Sequence, residues 1–479
     1  MRVVTASYHL AILPEHQGNP LIESLPKKVS DADLGIQLSS YPNATPQERK
    51  LEPIFRTEYL ARLKDLRQPL PVYINCFRAI ETAIKEGYST KNPLSPTTAN
   101  YIHYMVDNRP EISPVTGFFS PKGCGITVIG ESGVGKTCML EQILNCYPDV
   151  IEHKSYNRED IFIRQVVWLK VDCPADSSIK ALCYSILTEL DNKLGSVPVK
   201  RAATIPLLLE QIEARIKSCF LGILVIDEMQ NLNLAKTGGA DRLLSFIHSL
   251  VNNLGIPVLF CANPPFNELL AKTLKTARRA ESNGYFEITL LENDDEWMLF
   301  IEELWLLQWT RVYTPLTPEL SDKLFELSVG NIELAVRIFR ECQRLLIGQA
   351  NEEITPEVLD YSASTSIRAS KQAVDEIRLK RSLGILKRQH KQPDGDSNIE
   401  QDTLLKDNSK FLLIPGDLSR PHHHEFSVSI YEKLNAHTIA ELIKDQDIFQ
   451  RYVHQTVSMD ELFLKGIVCD TLISPDSEV

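Results

Sequence analysis

Residues 130–137 read GESGVGKT, and they constrain the fold more than any other part of the chain. They fit the pattern GxxxxGK[ST] in full, directly after the apolar run GITVI and directly before the segment CMLEQIL. A glycine-rich turn between a strand and a helix lets backbone N–H groups converge at a helix N-terminus, where phosphate groups bind. The pattern therefore predicts a P-loop.

The residue types within this loop predict a nucleoside triphosphate with Mg²⁺. Lys136 adds a positive charge next to the β- and γ-phosphates, and the Thr137 hydroxyl can ligate Mg²⁺. The predicted nucleotide contacts are Gly130, Glu131, Ser132, Gly133, Val134, Gly135, Lys136, Thr137 and Cys138.

A second apolar run, residues 221–226, ends in the two carboxylates Asp227 and Glu228. Ligands of α/β sheets bind at the C-terminal ends of the strands. We expect Asp227 to hold the Mg²⁺ shell and Glu228 to orient and deprotonate the water that attacks the γ-phosphate. A GTPase would carry a DxxG switch here and a later NKxD motif, and the sequence has neither. The predicted cofactors are therefore ATP and Mg²⁺, and the predicted activity is ATP hydrolysis.

Apolar runs of strand length alternate with amphipathic helices between residues 123 and 290, which is typical of a parallel sheet covered on both faces. The predicted fold class is α/β, with a five-stranded parallel sheet and a helical lid. The predicted strands are Ile126–Ile129, Val166–Val171, Leu221–Ile226, Pro257–Cys261 and Tyr285–Leu290.

The expected organisation has five parts. An N-terminal arm, extended over residues 1–49, and a small helical unit occupy 1–107, the α/β core 108–291 and the helical lid 292–350. A basic helix and a polar linker follow at 351–402, and a flexible tail at 403–479.

Composition narrows the class of protein. The ten cysteines have no CxxC pairing, which favours reduced, structural thiols. Apolar runs are far shorter than the ~20 residues of a membrane helix, and the N-terminus lacks a long apolar region with a cleavage site. We therefore expect an uncleaved cytoplasmic protein. A net charge of −12 argues against extensive coating by nucleic acid but leaves DNA binding on one face open.

Three polar residues follow the fourth predicted strand. Asn263 could contact the γ-phosphate and the attacking water, or it could simply form the turn before Pro264. Arg278 and Arg279 stand where an oligomeric ATPase can direct a cation into its neighbour's site, although paired arginines are also common on a solvated helix face.

The wording between these motifs resembles a known family, TnsC, the AAA+ regulators of Tn-seven-like transposons, which are related to the TniB and IstB regulators. The resemblance rests on GESGVGKTCMLEQIL, VVWLKVDCPADSSIKALC, LGILVIDEMQNL and LVNNLGIPVLFCANP, and it covers roughly residues 121–310. It implies an AAA+ core and ATP-dependent hexamer-like or heptamer-like rings or filaments around duplex DNA in the bacterial cytoplasm. Implied partners are a target-selection protein at the N-terminal part, and a transposase with its nuclease subunit at the tail.

The resemblance also implies roles for single residues. Lys136 and Thr137 would bind nucleotide and Mg²⁺, Asn263 would be the sensor, and Arg278 or Arg279 the trans-acting finger. The family's lid motif has an arginine after a glycine, but here Asn331 follows Gly330, and Arg337 is only a weak substitute.

Candidate DNA contacts in the core are Lys180, Lys193 and Lys236, each of which could equally be a solubilising charge. Two other functions share the same core: a helicase loader or DNA motor, and a nucleotide-gated scaffold that binds proteins and not DNA. Strand-separation activity would identify the first, and absence of salt-sensitive DNA binding the second.

Overall fold

The computed structural model describes residues 1–95, 123–175, 178–196, 200–237, 255–264 and 280–389, with residues 239, 242, 243, 245–247, 266 and 269 between them. Within these ranges no helix combines the length and apolar character that a membrane span requires. The predicted linker and tail after residue 390 and the segment 96–122 lie outside the described residues.

Eight strands and thirteen α-helices are described. The strands are β1 Val3–Thr5, β2 Gly125–Gly130, β3 Val150–Tyr156, β4 Glu159–Val166, β5 Trp168–Asp172, β6 Ile223–Asp227, β7 Val258–Ala262 and β8 Tyr285–Ile288. The helices are α1 Pro20–Glu23, α2 Asp31–Leu38, α3 Pro53–Tyr59, α4 Pro71–Ser89, α5 Lys136–Asn145, α6 Ile179–Leu194, α7 Ile205–Cys219, α8 Leu234–Thr237, α9 Asp295–Trp305, α10 Pro318–Ser328, α11 Ile332–Leu346, α12 Pro356–Ser366 and α13 Lys371–Gln389. Short 3₁₀ turns occupy Pro14–His16, Glu48–Lys50, Leu60–Asp65, Met229–Asn231 and Arg368–Ser370.

The central sheet has five strands in the order β5-β6-β7-β2-β8, and all of its pairings are parallel. Alternate residues of the inner strands β2, β6 and β7 enter different cores, as the period of two requires. On β6, Val225 packs in the core that contains α4 and α5, whereas Leu224 and Ile226 pack in the core that contains α6 and α7. Both faces are therefore covered, and the predicted five-stranded parallel α/β fold is confirmed.

The N-terminal segment differs from the expected extended arm. Strand β1 pairs in parallel with β3, with Val3 opposite Val150. Leu21, Leu34 and Leu38 are fully buried. Leu34 and Leu38 lie four residues apart on α2, whereas Ser24, Pro26 and Ser30 separate Leu21 from that helix. All three leucines belong to the buried core that contains α4 and α5, so this segment packs against the chain's own body.

The predicted strand Val166–Val171 is also divided. Strands β3 and β4 form an antiparallel hairpin in a second, three-stranded sheet, and β5 then begins the central sheet after a break at Val167. The hairpin turn consists of Asn157 and Arg158, both with positive φ, 50° and 71°. Two-residue hairpin turns favour this conformation because its twist matches that of the strands.

The lid contains three of the chain's four tryptophans, and all three are buried: Trp297, Trp305 and Trp309. The predicted lid, 292–350, contains α9, α10 and α11 with a non-helical connection between α9 and α10. The basic stretch after residue 370 begins as helix α13.

Candidate nucleotide-binding site

The loop between β2 and α5 has the backbone that its glycines predict. Gly133 and Gly135 have φ of +82° and +98°, a backbone conformation that residues other than glycine rarely adopt. A Cβ at Gly133 would lie 2.8 Å from Asn331 Oδ1, and one at Gly135 would lie 2.9 Å from the Tyr73 hydroxyl. The positive φ values therefore favour glycine at both positions, and a Cβ would also force the Asn331 or Tyr73 side chain to shift. Helix α5 starts at Lys136, so its N-terminal amides face the loop.

Lys136 lies against the same loop. Its Nζ donates to the carbonyl oxygens of Gly130 at 2.8 Å and Glu131 at 2.7 Å. The residue is 8% exposed. Burial lowers the pKa of Lys136, and the nearby carboxylates of Glu228 and Asp227 oppose that shift. Strand β2, which leads into the loop, therefore ends beside a cation that triphosphate oxygens can approach.

The acidic strand end lies close to this loop. The Thr137 hydroxyl donates to Asp227 Oδ2 at 3.1 Å. Asp227 is 1% exposed, and its other oxygen accepts the Glu228 N–H at 2.9 Å. A hydroxyl and a carboxylate beside a phosphate-binding loop are the ligands that Mg²⁺ uses together with substrate phosphates. The described residues thus fit a Mg²⁺–nucleotide complex.

Lys170 is a further cation at this edge, and no motif in the sequence predicted it. Its Nζ lies 3.3 Å from Asp227 Oδ2 and also pairs with Asp172. Strands β5 and β6 are neighbours in register, with Asp172 opposite Asp227. Lys170 is a charged residue between the apolar residues Leu169 and Val171, and that position was the available signal.

Glu228 is held in an unusual conformation. It is a non-glycine residue with φ of +57°. Its Oε2 accepts a hydrogen bond from Gln230 Nε2 at 2.5 Å, and Gln230 Oε1 accepts the backbone N–H of Asn263 at 2.9 Å. Gln230, which no motif predicted, therefore joins the end of β6 to the residue that follows β7. A strained backbone of this kind costs of order 1–3 kcal/mol and is frequent at functional sites.

The lid touches the P-loop through Asn331, whose Nδ2 donates to the Ser132 carbonyl oxygen at 2.9 Å. Arg337, the substitute considered for a lid arginine, instead pairs with Glu333 on its own helix. The sequence showed the departure from the lid motif but not this contact.

The other predicted residues are the arginine-finger candidates and the candidate DNA contacts. Arg278 and Arg279 lie outside the described residues. Lys193 pairs with Asp149, and its Nζ lies 3.6 Å from the centre of the Trp168 ring, which argues against a DNA contact. Lys180 is half-buried, 5.6 Å from the Tyr184 ring, and Lys236 is exposed on α8.

The fold and the site together define a P-loop α/β core of the kind that binds nucleotides. Residues 121–270 match the family model of an AAA domain. No curated protein sequence matches the chain.

Solved structures of low sequence identity are similar to parts of the chain. Cdc6p of Pyrobaculum aerophilum is 12% identical, with 62% of this chain and 68% of that chain covered and a TM-score of 0.40. The Aeropyrum pernix ORC2 protein, in ADPNP–ADP complexes, is 11% identical over 51% of this chain and 63% of that chain, with a TM-score of 0.33. Domain III of Thermotoga maritima DnaA is 14% identical over 52% of this chain and 86% of that chain, with a TM-score of 0.32. These similarities are too distant to bear on function.

Proposed function

We propose that this protein is an ATP-dependent, DNA-binding regulator of transposition. It oligomerises on target duplex DNA and bridges a target-selection protein to the transposase and its nuclease subunit, and ATP hydrolysis drives disassembly. The observation that carries the ATPase part is the Thr137–Asp227 hydrogen bond, because it places the acidic strand end beside the phosphate-binding loop. The resemblance of residues 121–310 to the TnsC regulators supports the transposition part.

Each proposed catalytic step belongs to a residue of the chain. Residues 130–138, with their backbone amides and the Lys136 Nζ, would bind the phosphates, and Thr137 and Asp227 would hold Mg²⁺, which supplies charge neutralisation when bound. Glu228 orients the attacking water and accepts its proton, with its position fixed by Gln230. Asn263 contributes as the sensor, and Arg278 or Arg279 stabilises transition-state charge in the neighbouring subunit.

DNA binding is proposed to use Lys180 and Lys236, together with clusters that form only in the oligomer. Lys193 is left out because Asp149 and Trp168 already engage it. Phosphate contacts release counterions, so binding to duplex DNA should weaken steeply between low and raised salt. A scaffold that binds only proteins would show no such binding.

The central experiment is electron microscopy of Glu228→Gln with ATP and duplex DNA. Loss of the base leaves nucleotide binding intact, so we expect DNA-bound oligomers that persist, whereas the wild-type assemblies dissociate as ATP is consumed. Lys136→Ala serves as the matched control, because it should abolish both nucleotide binding and assembly. Absence of DNA-bound oligomers with Glu228→Gln would refute the transposition proposal, and strand separation in an unwinding assay would favour a helicase-type motor.

A further inference from the structure

The turn between α10 and α11 contacts the P-loop directly. Besides the bond from Asn331 Nδ2 to the Ser132 carbonyl oxygen, the Glu333 N–H donates to the Gly133 carbonyl oxygen at 3.2 Å. Asn331 is 6% exposed, so little water competes for its amide. Its Oδ1 accepts the Leu334 N–H at 3.1 Å and caps α11. One side chain therefore joins the start of a lid helix to the phosphate-binding loop.

The same turn is joined to the segment that leaves the central sheet. The Leu291 N–H donates to the Gly330 carbonyl oxygen at 3.0 Å. Gly330 has φ of +71°, and a Cβ there would lie 2.0 Å from the Leu291 carbonyl oxygen. This close backbone approach is open to glycine alone. Val329, the residue before it, also has positive φ, which a β-branched residue rarely adopts. Contacts on both sides thus hold the turn in one conformation.

Helix α13 contacts Leu291 as well, at its carbonyl oxygen. Arg381 Nη2 donates to the Leu291 carbonyl oxygen at 3.0 Å. The guanidinium group also lies 3.5 Å from a Glu292 carboxylate oxygen and 5.4 Å from the centre of the Phe325 ring. The contacts therefore form one continuous series from Ser132 of the P-loop to Arg381.

We propose that Asn331 is a positioning residue of the P-loop and that this series of contacts couples the P-loop to residues 371–382. The inference rests on the proposed binding of nucleotide to the loop. Phosphates held by the loop amides fix the Ser132 carbonyl, which favours the Asn331 hydrogen bond and, through Gly330 and Leu291, the contact with Arg381. Nucleotide binding therefore stabilises the first part of α13. By linkage, a partner that binds this part of α13 changes nucleotide affinity by the same factor.

Hydrogen–deuterium exchange on the full chain tests the coupling, with and without a non-hydrolysable ATP analogue and Mg²⁺. Asn331→Ser keeps a capping oxygen, but its shorter side chain cannot reach Ser132. Arg381→Leu removes the contact at the far end. The matched control is Arg344→Leu, since Arg344 pairs with Glu341 on its own helix.

In the wild type, the analogue should slow exchange about twofold or more both in α5 and in residues 371–382. Asn331→Ser and Arg381→Leu should keep the protection of α5 and lose that of 371–382, while Arg344→Leu should keep both. Retention of protection at 371–382 in Asn331→Ser, or its absence in the wild type while α5 is protected, would overturn the coupling. Absence of protection in wild-type α5 would instead refute nucleotide binding itself.

Discussion

A buried ion pair between Arg56 and Glu352 links the N-terminal helical unit to the segment after the lid. The two side chains are 0% and 4% exposed. Glu352 accepts two hydrogen bonds from the Arg56 guanidinium, at 2.5 and 2.7 Å, and two from the backbone N–H groups of Arg311 and Gly348, at 2.6 and 2.9 Å. Arg56 also donates to the carbonyl oxygen of Trp309 at 3.0 Å. The Arg56 guanidinium and the two backbone N–H groups therefore share one carboxylate as their acceptor.

Glu352→Gln should destabilise the lid severely. Burial acts to raise the pKa of Glu352, but the hydrogen bonds from Arg56, Gly348 and Arg311 outweigh it and lower this pKa to about 2. Compared with the ordinary value of 4.5, this corresponds to about 3 kcal/mol of stabilisation at neutral pH. Removing one partner of a buried pair costs about 3–5 kcal/mol, because the other charge is left uncompensated. We therefore expect a loss of about 3–4 kcal/mol.

Guanidinium unfolding followed by tryptophan fluorescence measures this loss, since three of the four tryptophans are in the lid. The control is Glu341→Gln, which breaks the pair with Arg344, a side chain 58% exposed. Pairs of that kind contribute about 0–1 kcal/mol. If Glu352→Gln shifted the lid transition no more than Glu341→Gln, the reasoning about the buried pair would be wrong.

The pH dependence has a definite sign. A carboxylate whose folded pKa is lowered stabilises the fold above its unfolded pKa, near 4.5, and loses this contribution as pH falls toward about 2. The stability difference between the wild type and Glu352→Gln should therefore be constant above about pH 5 and shrink below it. A difference that grew on acidification would contradict the assignment.

Two further predictions concern the nucleotide site. Gln230→Ala frees Glu228, so steady-state ATP turnover should fall by about tenfold to a hundredfold while nucleotide affinity changes by less than about twofold; equal losses in both would contradict a positioning role. Gly133→Ala sets a Cβ 2.8 Å from Asn331 Oδ1 and should weaken nucleotide binding at least about tenfold in a titration. Gly18→Ala, at φ +74° with no atom within 4 Å, is the control and should leave that affinity unchanged.

The parts of the fold that sequence predicted correctly are those whose signals are local. The P-loop, the strand that ends in Asp227 and the alternation of strands and helices each depend on residues close together in the chain. The hairpin of β3 and β4 escaped because its turn is Asn157-Arg158, which lacks the glycine that marks most such turns. The packing of residues 1–49 escaped because burial of isolated leucines depends on surfaces distant in sequence.

The same distinction applies to the site. The sequence motifs around residues 136, 137, 227 and 228 predict phosphate and Mg²⁺ binding. The conformation of Glu228 and its hydrogen bond to Gln230 cannot be predicted from those motifs, because they depend on the folded backbone. Lys170 approaches Asp227 because β5 and β6 are neighbours in register, a pairing that no short pattern encodes.

Asn331 stands where the family's lid motif has an arginine, and its contacts explain why an asparagine fits this position. Two requirements meet there: the N-terminus of α11 needs an acceptor for the Leu334 N–H, and the Ser132 carbonyl oxygen of the P-loop presents an acceptor that needs a donor. An arginine side chain has donors only, and an aspartate only acceptors when ionised. The asparagine amide offers both on one short, planar group. Asn331 therefore meets a local capping requirement and a contact 199 residues away with the same side chain.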